Sequence, residues 1–244
     1  MAELEKDMEA KLIHQLTERE SQWKYRKDIR TEEDLWNNFR HKLDLINVAA
    51  LDGVPITDNE FRQVKAFINE KAATPYTAGC WLAGENGVAQ IPLIRDDVSK
   101  GTISLKAIDN REVAGGQSSY EVINQFMQKK ADPLDKDRRF DVTLLINGMP
   151  MIQIELKNRN HPFMDAYRQL KKYDKVENFR GLFGMVQMFV CTNGVDTQYI
   201  AADTIDKLNE RFLTSWIDKD NHPVNDYLDF AKEVLSIPAA HNMV

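Results

Sequence analysis

Phe140-Asp-Val-Thr-Leu-Leu-Ile-Asn-Gly-Met-Pro-Met-Ile-Gln-Ile-Glu-Leu-Lys157 is the stretch on which the fold turns. Two runs rich in β-branched and large apolar residues flank Asn147-Gly148, the strongest short-range signal for a β-hairpin. Downstream, His161-Pro162 opens a helical segment to about Phe179, with Phe163, Ala166, Leu170 and Tyr173 three or four apart. Met185 to Thr192 reads as a further apolar strand, and Asn193-Gly194 turns it into Thr197 to Ala202. Helices are expected at Ile205 to Trp216 and Pro223 to Leu235. Upstream, 127–139 is polar and reads as a loop, and Ser119 to Phe126 as a short strand. Between Gly79 and Ile108 glycines and Pro92 punctuate short β-forming stretches. The first third is helical: Leu4, Met8, Leu12 and Leu16 recur every four residues. Thr31-Glu-Glu-Asp34 is a capped start before Leu35, Trp36, Phe39, Leu43 and Ile46, and Thr57 or Asp58 caps a third helix to about Lys71. The pattern predicts an α/β (α+β) architecture, with an N-terminal helical region over 1–75 and the rest, 76–244, packed with it as one unit.

Bulk properties narrow the function classes. Hydrophobic residues make up 43% and charged residues 29% of 244, an ordinary globular balance. No apolar run is long enough to cross a bilayer, and the acidic N-terminus lacks a signal peptide's apolar core. Cys80 and Cys191 stand alone, which argues against a disulfide framework or a zinc site and for a reducing, cytoplasmic setting. His14, His41, His161, His222 and His241 show no ligand spacing. The net charge of −6 excludes a protein that grips nucleic acid through a global basic surplus. Between Lys157 and Arg180, however, seven Lys or Arg stand against three Asp or Glu.

Asp141 begins the first hairpin strand; Glu155 and Lys157 end the second. Glu155 and Lys157 share one strand face, and an acid and a base on an otherwise apolar strand are expensive to bury without partners. Two carboxylates from paired strands suit a hard cation such as Mg²⁺, with a backbone carbonyl (Leu156) and waters completing the shell. Such a cation acidifies water and neutralises phosphate charge, while a neighbouring lysine orients that water. The bland alternative is a Glu–Lys pair guarding a sheet edge. Geometry imposes a condition. A plain two-residue turn at Asn147-Gly148 sets Asp141 opposite Ile154, so that Asp141 and Glu155 point to opposite faces. They face together only if an odd loop or a bulge shifts the register by one, and Pro150, which lacks an N–H, is a natural place for it.

Tyr120-Glu-Val-Ile-Asn-Gln125, followed by Arg139-Phe-Asp and the hairpin through Asn158, resembles the nuclease domain of the type I restriction enzyme R subunit (HsdR), of the PD-(D/E)xK superfamily, loosely over 85–202. The resemblance implies a restriction-endonuclease-like fold, with a mixed central sheet flanked by helices, and a Mg²⁺-dependent DNA endonuclease. Asp141 and Glu155 would bind the metal, and Lys157 would position the attacking water. It also implies a Q-x-x-x-Y element, present as Gln169-Leu-Lys-Lys-Tyr173, that positions a strand of double-stranded DNA. Family R subunits are longer, add an ATP-driven translocase and work with methyltransferase and specificity subunits. No G-x-x-x-x-G-K-[ST] motif occurs among these 244 residues, so ATP is expected only in a full-length assembly. A stand-alone nuclease of the same superfamily is a second reading. A non-catalytic docking module, with Trp36, Phe39 and Phe61 as possible anchors, is a third.

Overall fold

A computed structural model describes residues 4–18, 22–111, 113, 116, 118–129, 137–175 and 179–244. In chain order the described elements are α1 (Glu5–Thr17), β1 (Lys24–Tyr25), α2 (Glu32–Ile46), α3 (Asp58–Lys71), α4 (Pro75–Ala83), β2 (Val88–Ile94), β3 (Thr102–Asp109), β4 (Tyr120–Gln128), β5 (Arg138–Ile146), β6 (Met149–Leu156), α5 (Met164–Lys175), β7 (Met188–Thr192), β8 (Thr197–Ala201), β9 (Trp216–Ile217), β10 (Pro223–Val224), α6 (Tyr227–Glu233) and α7 (Ile237–Met243). Six strands form a mixed sheet in the order β1-β4-β5-β6-β7-β8. β1 lies parallel to β4 and β6 parallel to β7, while the other neighbours run antiparallel. β2–β3 and β9–β10 make separate hairpins. The chain is a mixed α/β protein with helices flanking one central sheet.

Local chemistry explains the two best-marked helices. At the start of α2 the Thr31 side chain accepts from the Asp34 N–H, and the Asp34 carboxylate accepts from the Thr31 N–H at 2.9 Å. Thr57 and Glu60 repeat this capping box on α3. Each box satisfies two N–H groups that the helix leaves without partners. Trp36, Phe39 and Phe61 are buried and pack edge-to-face, so they build the core and are not surface anchors. At the hairpin, Asn147 (φ 51°) and Gly148 (φ 80°) both take left-handed backbone, as a tight hairpin turn requires. A Cβ on Gly148 would meet the Phe39 backbone at 2.9 Å, so the turn also presses directly on α2. Below it, β6 is buried along its whole length, and Phe126, Phe140, Phe183 and Phe189 fill the core beside it.

Some expectations need correcting. Residues 205–216 are not a helix: they form turns and a short 3-10 segment at Glu210–Phe212, because Tyr199 and Thr214 exchange backbone hydrogen bonds and draw the segment alongside β8. The closing helix is shorter than Pro223 to Leu235, since Pro223–Val224 pair with β9 and Asp226 caps α6 only afterwards. α4 lies in a region read as glycine-punctuated β structure. The loop expected over 127–139 lies partly in the ends of β4 and β5, and its middle, 130–136, falls outside the described residues.

Candidate active site

The hairpin carries the irregularity that the carboxylates require. Ile146 pairs with Met149 and Leu145 with Pro150, but Leu144 pairs with Ile152, leaving Met151 as an extra residue in β6. From there the register runs Thr143–Gln153 and Val142–Ile154. The shift of one brings Asp141 across from Glu155, and their side chains project from the same face.

Asp141 and Glu155 approach closely enough for their carboxyl groups to hydrogen-bond. The Asp141 carboxylate also accepts from the Leu156 N–H at 2.9 Å, which fixes its rotamer. Burial pushes the Asp141 carboxyl up to about 6; the Leu156 N–H and the Lys157 charge pull it down, and the charge of Glu9 pushes it up again. Glu155 is fully buried. Lys157, with 15% of its side chain exposed, places Nζ 3.7 Å from Glu155 Oε1 and donates to the Leu156 carbonyl at 3.1 Å. A positive charge thus already sits where a buried carboxylate and a main-chain carbonyl converge. Cys191, paired with Glu155 in the sheet, is buried; burial and then the Glu155 charge push its thiol up, so it stays protonated and inert.

A cavity of about 520 Å³ opens beside Asp141, lined also by Leu156, Arg139, Asn124, Gln125, Glu9 and Lys6. Glu9, on α1, lies 132 positions before Asp141, and the motif reading missed it. A signal existed: Glu9, Leu12, Ile13 and Leu16 follow i, i+3, i+4, i+7, which places an acid on the buried stripe of α1. Among the described residues no group of three or more His, Cys, Asp or Glu side chains is arranged to hold a metal.

α5 packs Ala166, Tyr167 and Leu170 inward. Gln169 stands half-buried on it, and the side chain of Tyr173 lies outside the described residues. Lys171 donates to the Leu208 carbonyl at 3.0 Å and lies over the Tyr167 ring, whereas Lys172 is exposed. No helix among the described residues is long and apolar enough to cross a membrane.

The family model described as "Type I restriction enzyme R protein N terminus" matches residues 2–207. The chain belongs to this family. Within it, the chain is 34% identical over 207 residues to a type I restriction enzyme endonuclease subunit of Staphylococcus saprophyticus, covering 85% of this chain and 20% of that protein. It is 33% identical over the same length to one from Staphylococcus aureus, with the same coverage. The EcoprrI endonuclease subunit of Escherichia coli is 39% identical over 118 residues, covering 47% of this chain and 36% of that protein. The chain therefore spans about a fifth of the length of the staphylococcal R proteins it resembles.

Proposed function

We propose that this chain is a Mg²⁺-dependent DNA cleavage domain that hydrolyses phosphodiester bonds as part of a type I restriction system. The observation that carries this reading is the Met151 bulge, which turns Asp141 and Glu155 to one face with the Lys157 ammonium beside them. The residues suit a hard divalent cation. Burial, with the charge of Glu9 added, disfavours an ionised Asp141 and holds its carboxyl near 6, a cost that a bound cation would relieve. Two carboxylates and the Leu156 carbonyl, with the rest of the shell left to water, match what Mg²⁺ accepts better than an all-protein cage. The bound cation supplies an acidified water and neutralises phosphate charge.

The chain's own groups do the remainder. The Leu156 N–H locks Asp141, and the bulge holds Glu155 against it. Lys157, next in the chain to the cavity-lining Leu156, moves off the Leu156 carbonyl to donate to the attacking water and to steady charge growing on the phosphate. Gln169 and Tyr173, four apart on α5, share one helix face and position the DNA strand. With a net charge of −6 the domain holds double-stranded DNA only locally. By family, DNA delivery falls to an ATP-driven motor and to methyltransferase and specificity subunits in the assembly.

The test is plasmid cleavage by the reconstituted restriction complex. Glu155→Ala and Lys157→Ala are expected to abolish cleavage while ATP hydrolysis continues. Cleavage at the wild-type rate in either variant would make the pair structural. Failure of the wild-type complex to nick DNA with any divalent cation would favour a docking module.

A further inference from the structure

β4 contains a distortion that sheet formation does not call for. Gln125 has φ 51°, a left-handed conformation that glycine adopts freely and a glutamine only at a cost. The β4–β5 register passes from Asn124–Val142 to Phe126–Phe140, so the residue opposite Asp141 drops out of the ladder. In a regular strand, neighbouring side chains point to opposite faces. Here Asn124 and Gln125 both donate their side-chain amides to Glu9, one to each carboxylate oxygen. Only a break in the alternation lets two consecutive residues reach the same group, and the left-handed backbone provides that break.

The distortion is held from behind. The Tyr25 hydroxyl donates to Asn124 Oδ1 at 2.8 Å, the Arg30 guanidinium donates to the Asn124 carbonyl, and the Met127 N–H donates to the Arg30 carbonyl at 2.8 Å. Strained backbone persists where its surroundings over-determine it, and such residues gather at functional sites. What this strain achieves is local: it pins the carboxylate of Glu9, itself only 8% exposed, in the cavity that Asp141 and Leu156 line.

We propose that Gln125 is a positioning residue for the cation site, retained in its strained backbone so that it and Asn124 fix Glu9 where it accepts hydrogen bonds from water on the cation. The inference rests on the cation reading given above. Mg²⁺ keeps several waters when it binds protein, and those waters are strong donors that need fixed acceptors. Groups that orient a metal's surroundings without touching it typically change affinity by about 10–100-fold when removed.

Two measurements on the purified chain test this: thermal melting without metal, and Mn²⁺ affinity by electron paramagnetic resonance at fixed pH. Gln125→Gly keeps the backbone conformation, removes its strain and deletes the amide. It is expected to melt at or above the wild-type temperature yet bind Mn²⁺ about 10-fold more weakly. Gln125→Asn, whose side chain tolerates left-handed backbone but is one methylene short of Glu9, should lose affinity similarly. In a Glu9→Gln background Gln125→Gly should add no further loss, because both act through one contact. Wild-type affinity in Gln125→Gly, an additive loss in the double variant, or a melt far below wild type would overturn the proposal. Glu155→Ala, run alongside, separates the two levels. If wild type binds Mn²⁺, Glu155→Ala does not and Gln125→Gly binds normally, only the role of Gln125 falls. If wild type fails to bind, or Glu155→Ala binds as wild type does, the cation site itself falls and this role with it.

Discussion

Replacing Asp141 by Asn should make the metal-free protein more stable while removing its activity. The Asp141 carboxyl is raised from an ordinary 3.8 to about 6, chiefly by burial. Between those two values the folded protein holds a proton that the unfolded chain has released, so stability falls as pH rises through this window and stays lower above it. About two pH units at 1.36 kcal/mol each give a burden of roughly 3 kcal/mol at pH 7.5. Asn avoids it, since its Oδ1 can still accept from the Leu156 N–H and its Nδ2 can donate to Glu155. Urea titrations in EDTA should therefore show no gain for Asp141→Asn near pH 4, a growing gain from pH 4 to 6, and a plateau of about 3 kcal/mol above that. Saturating Mg²⁺ should narrow the gap by stabilising wild type alone. An Asn variant no more stable than wild type at pH 7.5, or a gain independent of pH, would refute the claim that the site stores unfavourable charge for a cation.

Gly148→Ala should destabilise by about 1–3 kcal/mol, read by urea midpoint, because it places a Cβ at a left-handed residue 2.9 Å from the Phe39 backbone. Glu121 is 1% exposed and is gripped by Arg26 at 2.6 Å, Lys42 at 2.9 Å and Asn38 at 2.8 Å. Burial pushes its carboxyl up, but the hydrogen bonds from Asn38 and Lys42 and the nearby positive charge outweigh it and hold the carboxyl below 4.5. Glu121→Gln should cost about 1–3 kcal/mol at pH 7, because it removes the buried charge that part-buried Arg26 and Lys42 share, although Arg26 keeps Asp28. That stabilisation is present above pH 4.5 and is lost as pH falls through the depressed folded value, so the mutant and wild type should converge in acid titrations. In a cleavage assay at fixed salt, Gln169→Ala should lose more activity than exposed Lys172→Ala. Lys171→Ala should lower the melting temperature, since Lys171 is tied to the Leu208 carbonyl.

What could be read in the sequence was what local chemistry decides. The starts of α2 and α3 were legible because Thr31/Asp34 and Thr57/Glu60 satisfy helix ends within four residues. The hairpin was legible because Asn-Gly tolerates left-handed backbone, and Pro150 marked where the ladder falters. α4 went unread although Thr74 and Pro75 form a start signal, because Gly79 and Gly84 looked like breakers. Residues 205–216 were misread because Ile205, Leu208 and Phe212 are spaced as in a helix, while pairing with Tyr199, invisible to local pattern, decides their course. The partnership of Glu9 with Asn124 and Gln125 spans more than a hundred residues, so only the fold brings those three residues together.

The Met151 bulge turns the distance between Asp141 and Glu155 into a question of parity. With the Asn-Gly turn kept, the two carboxylates face each other only because one residue is unmatched. Losing that residue would send them to opposite sides of the sheet even though the letters of the motif survived. Insertions and deletions in this hairpin should therefore arrive in compensated pairs, a lost bulge with a turn changed by one. That exchange, with a turn longer by one, leaves the interval between the acids unchanged, so a search by interval alone cannot pick these relatives out from chains whose acids face apart. One that asks which residues share a face, counting strand, turn and bulge together, will find them.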